Sequence, residues 1–141
     1  MQKTALKQWI VILLVVAGLV IAFRVMRSRP WGPSALDVAV SELRSTAAEG
    51  HLLSRQIQAG ELTDNFRRVH VEMIVQETEQ TRKALLEHPI KPELEGARAR
   101  AAELALQLIS QLSLLSSSSQ AAGSTFGSLK GELDALHSQL Q

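Results

Sequence analysis

An all-α fold is what this sequence predicts: a single N-terminal transmembrane helix followed by an antiparallel three- or four-helix bundle of coiled-coil-like character. Three observations carry that prediction. Residues 9–23, WIVILLVVAGLVIAF, form an uninterrupted apolar run. From Leu36 to Leu140 apolar residues recur at steps of three and four, the spacing that lines one face of a helix. The chain has no Tyr and only three Phe and two Trp, so the aromatic β-formers a sheet draws on are scarce.

The anchor is placed at residues 8–26. At the helical rise this segment reaches roughly 28 Å, close to the hydrocarbon thickness of a bilayer. Lys7 and Arg24 bracket the run and can extend to the headgroups, and Trp9 stands where an interfacial indole sits. A cleaved signal peptide is the competing reading. It is disfavoured because the following residues, RVMRSRPWGP, lack the small residues a processing site requires. The plan is that of a single-pass, signal-anchored protein, as in a bacterial inner membrane. The flanks balance almost evenly, with Lys3 and Lys7 against Arg24, Arg27 and Arg29. The helical domain is favoured outside the cytoplasm because the short N-tail carries only positive charge and resists translocation.

Residues 1–29 thus read as tail and anchor, and residues 30–141 as the helical domain. RPWGP at 29–33 interrupts helix and predicts a short stiff hinge. Ser34 reads as an N-cap with Asp37 three residues on, opening a first helix over 35–58. Its stripe is Leu36, Val40, Leu43, Ala47, the small Gly50, Leu53 and Ile57. Gly60 and Thr63 then mark a turn and a new N-cap. The second helix spans 64–88, and an antiparallel hairpin about Gly60 sets Leu36 near Leu85, Val40 near Thr81 and Ala47 near Ile74. HPIKP at 88–92 ends it, with Pro92 suited to a first helical turn.

From Leu94 one seam runs through Ala97, Ala101, Ala105, Leu108, Leu112, Leu115, Ser119, Ala122, Phe126, Leu129, Leu133 and Leu136 to Leu140. The preserved phase favours a single helix over 92–140. Its weakest stretch is SSSSQAAGS, and a break over 117–124 is the alternative. Phe126, Leu129, Leu133, Leu136 and Leu140 form a heptad seam that a short hairpin cannot cover if the helix is continuous. Either the seam assembles with a partner or a second copy, or the chain folds back as a fourth helix and buries it.

The composition restricts function. Fifteen basic and 14 acidic residues, net charge +1, are spread along the chain, so no positive field recommends a nucleic-acid partner. Without cysteine there is no disulfide, thiolate metal site or cysteine nucleophile. No phosphate loop, HExxH or GxSxG is present, and no cofactor is expected. His51 and His70 flank the Gly60 turn symmetrically and are the candidate metal pair, lacking further ligands at suitable spacing. Glu49 and Glu72 lie two residues from them, which turns them to another helix face. Asp134 and His137 imitate one half of a di-iron motif that needs two such halves.

The function expected is a non-catalytic, membrane-anchored helical interaction or scaffold protein, self-associating or docking to a membrane or envelope complex. The alternatives are a small-ligand or metal-sensing bundle using His51 and His70, and an accessory subunit of a larger membrane enzyme or transport complex.

Overall fold

The computed structural model describes residues 30–117 and 123–141. The anchor expected at residues 8–26 lies outside the described residues, as do Ser119 and Ala122 of the seam. The chain divides into two units, Met1–Pro30 and Trp31–Gln141. The second is a helical bundle made of α1 (Pro33–Gln58), α2 (Asp64–Glu87), a 3-10 turn (Pro92–Leu94), α3 (Glu95–Ser117) and α4 (Gly123–Leu140). No helix among the described residues is long and apolar enough to cross a membrane.

Side-chain pairs fix the directions. Glu42 and Glu49 of α1 meet Thr81 and His70 of α2. Asp37 and Arg44 of α1 meet His137 and Asp134 of α4. Arg100 of α3 meets Glu132 of α4. For α1 with α2 and for α1 with α4 one number falls as the other rises, so both run antiparallel to α1; with short connections between consecutive helices, the order is up, down, up and down, the simplest bundle topology. The closest packing joins α1 to α4 and α2 to α3, and α1 and α2 touch less extensively.

The continuous helix over 92–140 does not form. α3 ends at Ser117, and α4, from Gly123, returns antiparallel to it. Serine and glycine are poor helix formers, and folding back buries a Leu seam that a straight helix leaves in water. The seam keeps its phase across the break. Ala101, Ala105, Leu108, Leu112 and Leu115 on one side and Phe126, Leu129, Leu133 and Leu136 on the other are all buried, and Leu140 is half-buried against them. On α3, Ala102 and Leu104 are buried as well. Their burial widens the stripe, as a helix packed against two neighbours requires.

The helix ends follow local chemistry, with one correction. α1 starts at Pro33 with Gly32 at the N-cap and no side-chain cap, so the expected Ser34 and Asp37 capping box is not made. Pro33 supplies the first helical position with a preset φ and no N–H to satisfy. The predicted hinge is pinned from Trp31 onward: its N–H donates to the Pro89 carbonyl at 2.8 Å, and its carbonyl accepts from Lys91 N–H at 3.4 Å. The indole stacks on His88 with centroids 4.9 Å apart. At the other end of α1, Gly60 adopts φ +70°. Its N–H donates to Ile57, and Glu61 N–H donates to Gln56, the paired bonds of a glycine-terminated helix. Thr63 caps α2 by accepting from Phe66 N–H at 3.3 Å.

Leu36, Val40, Leu43, Ala47 and Leu53 of α1 join Val71, Ile74 and Leu85 of α2 in one core with the two halves of the seam. Gly50 has a specific task in it. A Cβ built there would lie 2.6 Å from Phe126 Cε1, so only glycine lets the fully buried ring of Phe126 approach the α1 backbone.

Candidate functional site

The α1–α2 face is the polar face of the bundle. On α1, Glu42, Ser45, Thr46 and Glu49 step along one side, and Glu77, Gln80 and Thr81 of α2 face them across a groove of about 430 Å³. The hydroxyls are satisfied on their own helices: Ser45 donates to the Ser41 carbonyl, Thr46 to Glu42 and Thr81 to Glu77. Thr81 Oγ1 also lies 3.2 Å from Glu42 Oε2, bridging the groove. Glu49 meets His70 at 3.0 Å. Among the described residues no lysine or arginine pairs with Glu42, Glu49 or Glu77. The groove is therefore lined by carboxylates, hydroxyls and the Gln80 amide, with no lysine or arginine paired to its glutamates.

Where the symmetric hairpin suggests His51 as the partner of His70, the structure pairs His70 with Glu49. The α1 partner of His70 is Glu49, whose carboxylate Oε1 stands 3.0 Å from Nε2, and Phe66 stacks on the imidazole with centroids 5.3 Å apart. The reason is phase. α1 presents Glu42, Thr46 and Glu49 to α2 at steps of four and three, and His51, an exposed residue, is two positions and about 200° around the helix from Glu49. Among the described residues no group of three or more His, Cys, Asp or Glu side chains is placed to hold a metal ion.

Asp134 and His137, which share a helix face at ligand spacing, go to different partners. Asp134 Oδ1 accepts from Arg44 Nε at 2.6 Å, and Oδ2 accepts from Lys130 at 2.8 Å. The Lys130 hydrogen bond, followed by that of Arg44, holds the Asp134 carboxyl below the ordinary carboxylate range, against a smaller opposing effect of burial. His137 Nδ1 lies 2.5 Å from Asp37 Oδ1. Both atoms are covered, and the approach lacks hydrogen-bond geometry, so the contact is an ion pair when the imidazole carries its second proton. On α3, Arg100 bonds Glu103 at 2.6 Å and also contacts Glu132. Glu103 chiefly, then Glu132, raises the guanidinium above its already high value. Arg44–Asp134, Asp37–His137 and Arg100–Glu132 tie α4 to its neighbours.

The heptad seam also has its place in the interior. Phe126, Leu129, Leu133 and Leu136 lie in the core, so in this structure they are not a surface for a partner. The apolar surface is elsewhere. Val38 and Leu52 of α1, Phe66, Val69, Met73 and Leu86 of α2, and Leu106 and Leu114 of α3 are about half exposed, and among the described residues no large apolar side chain of α4 is. By residue type alone Phe66, Val69 and Met73 belong with the core near the Gly60 turn. The signal against that placement is their phase, which differs from that of the buried Val71, Ile74, Thr78 and Leu85. Comparison with family models, with curated proteins and with solved structures finds no match to this chain.

Proposed function

We propose that this chain is a membrane-anchored helical interaction or scaffold protein, held to the bilayer through residues 8–26 and acting by docking its bundle to another protein of a membrane or envelope complex. The observation that carries the reading is the location of the exposed apolar side chains. The core already contains the Leu seam, yet Phe66, Val69 and Met73 stand half in water at three- and four-residue spacing on α2. A row of large apolar residues at the spacing of a helix–helix contact is the usual mark of a protein–protein surface. The anchor is supported by the apolar run at residues 9–23, long enough with its flanks for a bilayer. Docking is favoured over self-association through the seam, because the seam is engaged within the chain. A non-catalytic role fits a groove whose hydroxyls are spent on their own helices.

The test is fractionation with native electrophoresis on the full chain expressed in bacteria. The expected result is a chain that stays in the membrane pellet through an alkaline carbonate wash and, in mild detergent, migrates as a discrete species larger than its own monomer. A chain washed off the membrane, or one that migrates only as a monomer, overturns the reading.

A further inference from the structure

We infer that the α1–α2 groove is a docking site for a cationic amphipathic helix of a partner protein, whose apolar side chains pack on Phe66, Val69 and Met73 and whose lysines or arginines pair with Glu42, Glu49 and Glu77. The inference rests on the interaction reading above and specifies its surface and the chemistry of the partner.

The apolar row and the acidic groove lie on one face. Stepping back along α2 from Glu77, which lines the groove, by four, three and four residues gives Met73, His70 and Phe66. Helical periodicity puts all four on the same flank. His70 reaches across to Glu49 on the α1 wall, and Phe66 stacks on His70, so the apolar end continues directly from the acidic middle. Val69 lies three residues from Phe66 and four from Met73. The three apolar side chains are 51, 55 and 47% exposed, enough for each to lose further surface to a partner. From Phe66 to Thr81 the face extends about 22 Å, the length of about four helical turns.

Those dimensions and the apolar spacing of three and four suit a fifth helix, which interdigitates with such a row as bundle helices do. Charge selects which helix. Three carboxylates line or adjoin the groove, and no lysine or arginine among the described residues pairs with them. An acidic helix would be repelled, and a neutral one would leave the carboxylates uncompensated at a drying interface. The α2–α3 side supplies a contrast within the molecule. A cleft of about 360 Å³ there is lined by Arg82 and Lys83 as well as Glu79 and Glu87, around Leu86 and Leu106. It is apolar but has no net preference for a cation.

The experiment uses the full chain in a non-ionic detergent and a fluorescein-labelled amphipathic leucine–lysine peptide of about four turns, read by anisotropy. The comparison set is the same peptide with glutamate for lysine, the triple variant E42Q/E49Q/E77Q, the variant M73Q, and L86Q/L106Q on the other cleft. The expected result is binding of the lysine peptide only. The triple variant and M73Q each weaken it about tenfold or more, and L86Q/L106Q leaves it within about twofold, with affinity falling as salt rises. Circular dichroism of each variant checks that the bundle is intact. Failure of the wild type to bind, equal binding by wild type and triple variant, or loss only in L86Q/L106Q overturns the groove assignment. The native-gel complex is an independent readout: if it persists while the peptide fails, the groove is wrong and the interaction reading stands. If the complex is absent, the reading itself fails.

Discussion

Two of the helices packed on α1 are met in opposite ways. Toward α4, helix α1 offers Gly50, which lets the ring of Phe126 in against the backbone, and two polar pairs, Arg44 with Asp134 and Asp37 with His137. Toward α2, the helix next to it in sequence, it offers glutamates and hydroxyls across an open groove. The close packing thus joins the first helix to the last, and the hairpin between sequence neighbours is the looser joint. Chain proximity makes a contact entropically inexpensive, but side-chain complementarity decides whether it is dry and tight. In this bundle the looser joint lies between adjacent helices, while the distant pair closes the core.

Breaking the tight side has the largest expected effect. Phe126→Ala removes a wholly buried ring where α1 and α4 meet and should destabilise the bundle by about 3–5 kcal/mol in denaturant unfolding. A loss near that of an ordinary surface change would mean that α1 and α4 are not the principal pair. Filling the approach from the opposite side, Gly50→Val drives side-chain atoms into that ring and should cost about 1–3 kcal/mol. Smaller substitutions at Phe126 should relieve that cost, and non-additivity in the double variant Gly50→Val with Phe126→Leu measures the contact directly.

The loose side depends more on its turn than on its interface. Gly60→Ala imposes a left-handed backbone on a residue with a Cβ and should cost about 1 kcal/mol, part of the strain being offset by a stiffer unfolded chain. If Gly60→Ala proved as damaging as Phe126→Ala, the α1–α2 hairpin would be a stability centre and the contrast would collapse. The smallest effect is expected at the charged rim of the tight side. Lys130 and Arg44 hold the Asp134 carboxyl below its ordinary value, so the stabilisation from its ionised form is full above the unfolded carboxyl's range and is lost as pH falls through the lower native value. Thermal midpoints should place wild type slightly above Asp134→Asn at pH 7, with the two converging in strong acid. A gap that widens in acid would reverse the sign and remove Asp134 from the account.

Much of the fold was legible because helical burial is periodic. The α1 stripe from Leu36 to Leu53 and the seam through Leu108, Leu112 and Leu115 are buried as their spacing implies, and Gly60 and Thr63 end and cap the helices they flank. The site was less legible. Residues equidistant from a turn, such as His51 and His70, need not meet, because the phase of each helix chooses which residue faces across, and on α1 that residue is Glu49. The apolar residues of the first half of α2 were harder still. Phe66, Val69 and Met73 look like core by type, and it is their phase relative to Val71, Ile74 and Leu85 that turns them away from it.

By itself, the sequence determined that the domain is helical, where most helices begin and end, and which stripe of most helices seeks the interior. Capping, propensity and a 3.6-residue period act within a few residues of one another, and the chain carries that information locally. Only the tertiary structure decided that the segment from residue 92 to 140 is two helices and that α4 closes on α1. It also decided that the Leu seam is spent within the chain while an acidic groove stays open beside α2. These outcomes depend on which apolar faces cover one another most completely, a competition among segments far apart in sequence whose result no single stripe contains.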